Sequence, residues 1–213
     1  STNKEAAELI VDAITEAGYI PGEDCHIAMD VAASELHTSD GFYNLTQESL
    51  RLESEQLIAL YEEWILDLPI ISIEDGLSEN DWTGWKAMNL RLGNQVQLVG
   101  DDLYTTNPRT INKGVKQRTS NAVLIKLNQI GTVSETLNAI QTAQQAGWGT
   151  VISHRSGDTE DTTIADLAVG TSARQIKAGA PARGERTSKY NRLLRIEEEL
   201  KDKAIYAGRT VYT

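Results

Sequence analysis

Charged or strongly polar residues stand at the carboxyl ends of six short apolar runs along the sequence. In chain order they are Asp30, Glu74, Asp101, Lys126, the His154–Arg155 pair and Lys177. Most are roughly one β–α unit apart, a spacing that would bring their side chains to one rim of a parallel barrel, where barrel enzymes hold their active sites. A single charge that ends a strand is usually a solvated loop residue. Six in succession, with acids before bases, favour a functional site.

The acids Asp30, Glu74 and Asp101 would form an all-oxygen pocket of the kind that hard divalent cations prefer. Magnesium is the expected occupant, because this ligand set leaves room for water and substrate oxygens. The alternative is that the acids simply pair with Lys126 and Lys177. However, crowded carboxylates repel one another strongly without a metal, and ammonium groups would be poor geometric substitutes for one.

Other acids and histidines lie near the three predicted metal ligands in the sequence, but their spacing does not indicate a further metal site. Asp75 and Asp102 directly follow two of the expected ligands. Alternation along a strand turns them away from the ligand face, so we expect them to support the ligands or to form salt bridges. His26 and His37 are predicted to be structural.

Lys126 lies in the stretch IKLNQ, flanked by apolar residues on a predicted central strand. Burying a lysine there without a chemical task would be costly, so it could be a Schiff-base nucleophile or a general base. The stretch SHRSG offers the Arg155 guanidinium and the Ser156 hydroxyl beside a glycine, a combination that suits a phosphate. His154 could contact substrate or be a structural histidine, and we favour the first.

A metal pocket, a lysine and a phosphate cradle on one rim indicate a class of reaction. A base removes a weakly acidic proton next to a carboxylate, and the metal stabilises the enolate that forms. The competing chemistry is a Schiff-base aldolase that uses Lys126. Borohydride trapping with substrate would reveal it by mass, and we expect no adduct.

Apolar runs separated by helical stretches must position these residues. The predicted strands lie within residues 25–30, 69–75, 95–102, 122–128, 149–155 and 175–179. Runs that are apolar throughout are typical of a parallel sheet buried on both faces, which leaves an α/β doubly wound sheet or a (β/α)8 barrel. No glycine-rich phosphate loop follows a strand, which favours the barrel. Because a closed barrel needs eight strands, residues 1–213 are predicted to be a single, incomplete barrel domain.

The segments around these units also have local signals. The chain is predicted to begin with an amphipathic helix that ends at Gly18 and uses Leu9 and Ile10 in its apolar face. A polar loop is expected after Asp30. Thr132, with Glu135 three residues later, predicts a capping box at the start of a helix.

Composition narrows the classes of function. The net charge of −11, with scattered lysines and arginines, disfavours nucleic acid and acidic membrane surfaces as partners. No apolar run approaches the roughly 18 residues that a bilayer span needs, and the start of the chain is unlike a signal peptide. The single cysteine, Cys25, excludes a disulfide framework within the chain and a cysteine-based zinc site. A reducing cytoplasm is the expected location.

Long stretches of the sequence resemble one known family. They are HIAMDVAASE, SIEDGLSENDW, LVGDDL, LIKLNQIGTVSET, VISHRSGDTEDTTIADLAVG and KYNRLLRIEEEL. All are similar to signature stretches of enolase, in the family's order, and together with their surroundings they cover essentially the whole chain. LVGDDLYTTNPRTI and GAPARGERTSKYN resemble the bacterial members. The resemblance implies the C-terminal portion of an enolase-type TIM barrel, as six successive β–α units without the first strands and without the N-terminal α+β domain.

The resemblance implies a role for each strand-end residue. Asp30, Glu74 and Asp101 would bind the essential Mg²⁺, and a second Mg²⁺ would bridge the substrate phosphate. Lys126 would accept the C2 proton of 2-phosphoglycerate, and Lys177 would hold the substrate carboxylate. Arg155 and Ser156 would hold the phosphate, and His154 would contact the substrate.

The resemblance also implies what these residues do not supply. In the family, the general acid that expels the 3-hydroxyl is a glutamate of the N-terminal part of the enzyme. That N-terminal part would therefore be a partner of this chain. Without that acid, the isolated chain is expected to be inactive. The resemblance also implies a dimer or an octamer for the intact enzyme. The alternative function is a non-catalytic binding or assembly module, since enolases also associate with RNA-processing machinery and bind plasminogen at cell surfaces. The C-terminal GRTVYT lacks the lysines linked to plasminogen binding.

Overall fold

The structure, a computed structural model, describes residues 2–212. Two compact units divide the chain. The first contains residues 1–103 and 116–121, and the second contains residues 104–115 and 122–213. Each unit has its own parallel strands and its own apolar core.

The first unit alternates helices with three parallel strands. Its elements are α1 (Asn3–Glu16), β1 (Ile27–Asp30), β2 (Tyr43–Leu45), β3 (Leu50–Leu52), α2 (Ser54–Asp67), β4 (Ile70–Glu74), α3 (Trp82–Leu92) and β5 (Gln97–Gly100). β4 lies between β1 and β5 in the parallel sheet, while β2 and β3 form a separate antiparallel pair. The core lies where α2 and α3 cover the sheet, with Leu57, Tyr61, Trp85 and Met88 almost fully buried.

The second unit continues the alternation. Its elements are α4 (Pro108–Gln117, of which 108–115 belong to this unit), β6 (Ala122–Ile125), α5 (Leu127–Ile130), α6 (Val133–Gln145), β7 (Gly149–Ser153), α7 (Thr163–Gly170), β8 (Ile176–Lys177) and α8 (Gly184–Leu200). β7 lies between β6 and β8, and both pairings are parallel. Every residue of β6 is buried, as expected for a strand covered on both faces.

Helix starts follow their capping residues. The Thr2 side chain accepts the Glu5 amide at the start of α1, and the Asp81 side chain accepts the Gly84 amide at the start of α3. The capping box predicted for α6 is confirmed in part. Thr132 Oγ1 accepts the Glu135 amide at 3.2 Å, but the Glu135 carboxylate accepts the Thr132 hydroxyl and does not form the second bond of the box. These bonds satisfy amides that a helix leaves without an intrahelical partner.

The α/β prediction with six parallel strands is confirmed, and each of these six strands lies within its predicted range. Two local expectations were wrong. The polar loop after Asp30 contains the β2–β3 hairpin. The apolar face expected for α1 is largely exposed, with Leu9 at 64% and Ile10 at 50%, and Ala7 is the helix residue that is buried. Within residues 2–212, no helix combines the length and the apolar character that crossing a bilayer requires.

Candidate active site

In the first unit, the three predicted metal ligands end three neighbouring strands. Asp30 is the register partner of Glu74, and Glu74 is the register partner of Val99. Asp101 comes directly after β5, which ends at Gly100. Glu74 and Asp101 are buried, whereas Asp30 is exposed. Strand register therefore brings Asp30 beside Glu74, and Asp101 follows the end of the next strand.

Asp75 connects the ends of β4 and β5. Its Oδ1 accepts the Asp101 amide and its Oδ2 accepts the Asp102 amide, both at 2.9 Å. Burial raises the pKa of the Asp75 carboxyl to about 7, and the nearby Asp101 and Asp102 charges act in the same direction, while the two amide bonds oppose them. Asp75 itself adopts a left-handed backbone, with φ +44°. This side chain anchors the main chain that carries Asp101, as a supporting role requires. It does not turn away from that residue as expected, because Asp75 follows the end of β4, where strand alternation no longer applies.

The acids of this unit also form a compact cluster. Asp75, Asp101 and Asp102 each offer a carboxylate oxygen, and these oxygens lie within 4.8 Å of one another. Oxygen donors of this kind suit a hard divalent cation. The cluster shares Asp101 with the predicted ligand set, but contains neither Asp30 nor Glu74. The chemistry of the donors therefore fits a hard divalent cation such as magnesium, and Asp101 is the residue that both sets share.

In the second unit, Lys126 stands at a junction between strand and helix. β6 ends at Ile125 and α5 begins at Leu127, so the strand ends earlier than predicted. The Lys126 amide donates to Thr106 Oγ1 at 2.9 Å, and Thr106 Oγ1 donates to Gln129 Oε1 at 2.9 Å. Thr106 is fully buried. This buried hydroxyl fixes the main chain from which the half-buried Lys126 side chain extends.

The loop that follows β7 forms one wall of a pocket of about 550 Å³. Arg155, Ser156 and Gly157 line it, together with Asn128 and Asp158. Arg155 and Ser156 are exposed, and an Arg155 guanidinium nitrogen lies 3.5 Å from Asn128 Oδ1. A guanidinium and a hydroxyl that face an open pocket can both donate to a phosphate.

His154 and Lys177 meet at the ends of β7 and β8. The His154 amide donates to the Lys177 carbonyl oxygen at 2.9 Å. Burial lowers the pKa of the His154 imidazole, the cations Lys189, Arg186 and Lys177 lower it further, and Asp158 opposes them. Its Nδ1 is buried and has no hydrogen-bond partner among residues 2–212. His154 is therefore favoured in its neutral form, as a donor or an acceptor to a polar group.

The structure thus places each predicted residue at the end of a strand or within the first three residues after it. Asp30, Glu74 and Asp101 lie in the first unit, and Lys126, His154, Arg155, Ser156 and Lys177 lie in the second. Sequence reasoning missed Thr106 as a support of Lys126. No local pattern signals that contact, because it joins residues 20 positions apart.

Parallel strands that end in acids or bases, alternating with helices, define a class of α/β proteins with a candidate site at the strand ends. All of residues 1–213 match the family model described as "Enolase, C-terminal TIM barrel domain". The chain is also 57% identical, over 211 residues, to "Enolase 2" of Methanospirillum hungatei JF-1. That alignment covers 99% of this chain and 49% of the relative, so the chain spans about half the length of the curated relative it matches. The chain belongs to the enolase family.

Proposed function

We propose that this chain serves the magnesium-dependent, reversible dehydration of 2-phospho-D-glycerate to phosphoenolpyruvate, the phosphopyruvate hydratase reaction of glycolysis and gluconeogenesis. Membership of the enolase family supports the activity. The observation that carries the proposal is the charged residues found at or just after the ends of the parallel strands. Carboxylates end the strands of one unit, and a lysine, a histidine–arginine pair and a second lysine end those of the other.

Asp30, Glu74 and Asp101 would hold the essential magnesium ion. The register pairing of Asp30 with Glu74, and the hydrogen bond by which Asp75 fixes the main chain of Asp101, support this assignment. When bound, the cation supplies charge stabilisation for the carboxylate of a substrate that is losing its α-proton. A second magnesium ion would bind with the substrate phosphate.

Lys126 would take the proton from C2 of the substrate through its Nζ. The bond from its amide to the buried Thr106 hydroxyl holds its backbone in place, as a positioned base requires. Lys177 would hold the substrate carboxylate by charge. Arg155 and Ser156 would donate to the phosphate in the pocket that they line. His154, favoured in its neutral form, would contact a polar group of the substrate.

Replacement of the base tests this assignment. In the natural polypeptide, Lys126→Ala should lower kcat by about 10²- to 10⁴-fold, the usual contribution of a general base. Absorbance of phosphoenolpyruvate measures turnover, and loss of the C2 proton to deuterated solvent measures the proton transfer itself. Lys116→Ala, which removes an exposed lysine of α4, is the matched control and should retain the wild-type rate. Full C2 exchange by Lys126→Ala would refute the assignment of the base.

A complete reaction also needs an acid that protonates the departing 3-hydroxyl. None of the roles proposed for this chain provides that acid, so we propose that the 213-residue chain does not turn over by itself. The same absorbance assay, with purified 213-residue chain and added magnesium, should give the rate of a blank without protein. Robust turnover by the chain alone would disprove this.

The proposed setting is the cytoplasm, with a surface or secreted pool in addition. We propose a homodimer or an octamer as the assembled enzyme, which also includes the family's N-terminal part as partner. Analytical ultracentrifugation of the natural polypeptide distinguishes these assemblies from a monomer.

A further inference from the structure

α8 carries a lysine that is fully buried although none of the proposed catalytic roles uses it. Lys189 has 0% of its surface exposed. Ile196 is the other buried residue described in this helix. An ammonium group is costly to bury unless its donors are satisfied, so the partners of Lys189 identify its task.

The ammonium group binds main-chain carbonyls and approaches one carboxylate. Nζ donates to the carbonyl oxygen of Thr159 and, at 2.6 Å, to that of Glu185. It also lies 3.9 Å from Asp158 Oδ2. Glu185 belongs to the first turn of α8 itself, whereas Asp158 and Thr159 belong to the loop between β7 and α7. Lys189 therefore joins that loop to the helix.

This loop, residues 154–162, is the segment that carries Arg155 and Ser156. The Asp158 amide donates to the Arg155 carbonyl oxygen at 3.0 Å, which closes a turn between the pocket residues and the Lys189 anchor. At the end of the loop, Asp161 Oδ1 accepts the Thr163 amide at 2.8 Å. Lys189 thus fixes the middle of a loop whose far end is fixed to α7.

The next residue of α8 holds the neighbouring loop. The Tyr190 hydroxyl donates to the carbonyl oxygen of Gly179, two residues after Lys177. Two consecutive residues of α8 therefore bind the main chains of the two loops that follow β7 and β8. Both contacts are made to carbonyl oxygens, so they act on the path of the chain and not on a side chain.

We propose that Lys189 is a positioning residue for the loop of Arg155 and Ser156. It donates to the carbonyl of Thr159 and lies near the carboxylate of Asp158, and so keeps Arg155 and Ser156 in position for a phosphate group. Lys189 is itself enclosed and acts only through the loop. This inference rests on the proposed function, because it assigns the pocket to the substrate phosphate.

Lys189→Met in the natural polypeptide tests the proposal. The variant leaves two carbonyls without their donor and removes the cation beside the Asp158 carboxylate, and the loop should become more mobile. We expect the KM for 2-phosphoglycerate to rise about tenfold with kcat within about threefold of wild type, since the interaction lost is one of binding. Hydrogen exchange of amides 154–162 should become about tenfold faster, and the Kd for inorganic phosphate should rise about tenfold.

Arg192→Gln is the matched control. Arg192 is also a cation of α8, but its ion pairs are with Asp166 and Glu199, away from the loop. It should lower thermal stability without changing the KM, the loop exchange or the Kd for phosphate. If Lys189→Met also lowers stability but leaves those readouts at wild-type values, Lys189 is only a structural residue and the proposal is overturned.

A second variant keeps the test decisive. Lys189→Gln retains a hydrogen-bond donor, so it remains available if Lys189→Met does not fold, and the same three readouts apply to it. If the wild-type polypeptide does not convert 2-phosphoglycerate, the proposed function fails. Loop exchange and phosphate affinity then still decide the role of Lys189: faster exchange with weaker phosphate binding supports it, and unchanged values refute it.

Discussion

His154 combines burial with a surplus of nearby positive charge. Its pKa lies below the ordinary value of 6.5 because of burial first and the cations Lys189, Arg186 and Lys177 second. The unfolded chain therefore binds the proton more tightly than the folded chain. The stability that this histidine contributes is fully present above pH 6.5 and is lost as the pH falls through the folded pKa.

We therefore predict that wild-type protein loses more stability between pH 7.5 and pH 5.5 than His154→Gln does. The free energy of unfolding, from urea denaturation at each pH, measures the difference. Subtracting the two curves cancels the groups that both proteins share. Parallel curves would show that the imidazole does not have a lowered pKa in the folded state.

For single residues, the types of the site residues could be predicted from the sequence, but the residues that hold them in place could not. The sequence predicts Lys126, Arg155 and Lys177 as site residues because charges that follow apolar strands are uncommon without a task. The contacts of Thr106 with Lys126, and of Lys189 with Thr159, join positions 20 and 30 residues apart. Such contacts depend on the packing of the fold, which no local pattern specifies.

Among the elements, α4 packs very closely against a buried ring. A Cβ on Gly114 would lie 2.6 Å from Cε1 and 2.7 Å from the hydroxyl oxygen of Tyr104. Tyr104 is fully buried, and its ring centroid lies 5.5 Å from that of Trp148. The ring therefore has little room to move, and the helix needs glycine at this position.

Gly114→Ala should lower the free energy of unfolding by about 1–3 kcal/mol, the usual cost of overpacking. Gly170→Ala is the control, since Gly170 is also helical and a Cβ there would meet nothing within 4 Å. It should leave stability unchanged or raise it by up to about 1 kcal/mol through helix propensity. Urea denaturation of both variants gives the comparison, and equal effects would contradict the predicted contact.

The elements themselves were largely readable from the sequence. β4 and β5 lie in stretches rich in apolar residues, and β6 is apolar throughout. The Thr132 cap of α6 is likewise a local motif, so a few consecutive residues are enough to predict each of these features. The β2–β3 hairpin was missed because each of its strands has only three residues, too few for an alternating pattern to stand out. The orientation of α1 was also not predictable, because an apolar stripe shows which face can be buried but not whether another element covers it.

Over the whole molecule, the excess of acidic residues bears most on metal binding. The net charge is −11, and in the first unit Glu74, Asp75 and Asp101 are all buried acids. Like charges that are brought together by folding oppose it. A divalent cation that binds only the folded state would relieve this repulsion and stabilise the protein by mass action.

Magnesium should therefore raise the free energy of unfolding, by about 2.7 kcal/mol when its concentration is one hundred times its Kd. Thermal and urea denaturation in magnesium chloride and in EDTA measure the increment, with sodium chloride at equal ionic strength to correct for screening. Glu74→Gln should reduce the increment strongly, because it removes a proposed ligand. Asp67→Asn, which alters an exposed carboxylate paired with Lys4, should leave it unchanged.

Asp102→Asn decides between the two ligand sets. Asp102 belongs to the compact cluster with Asp75 and Asp101, but not to the proposed set of Asp30, Glu74 and Asp101. Both oxygens of Asp75 already accept main-chain amides, which leaves that carboxylate less able to bind a cation. We therefore expect Asp102→Asn to keep most of the magnesium increment. If Asp102→Asn loses the stabilisation by magnesium while Glu74→Gln retains it, the metal binds at the cluster of Asp75, Asp101 and Asp102. Glu74 would then not be one of its ligands.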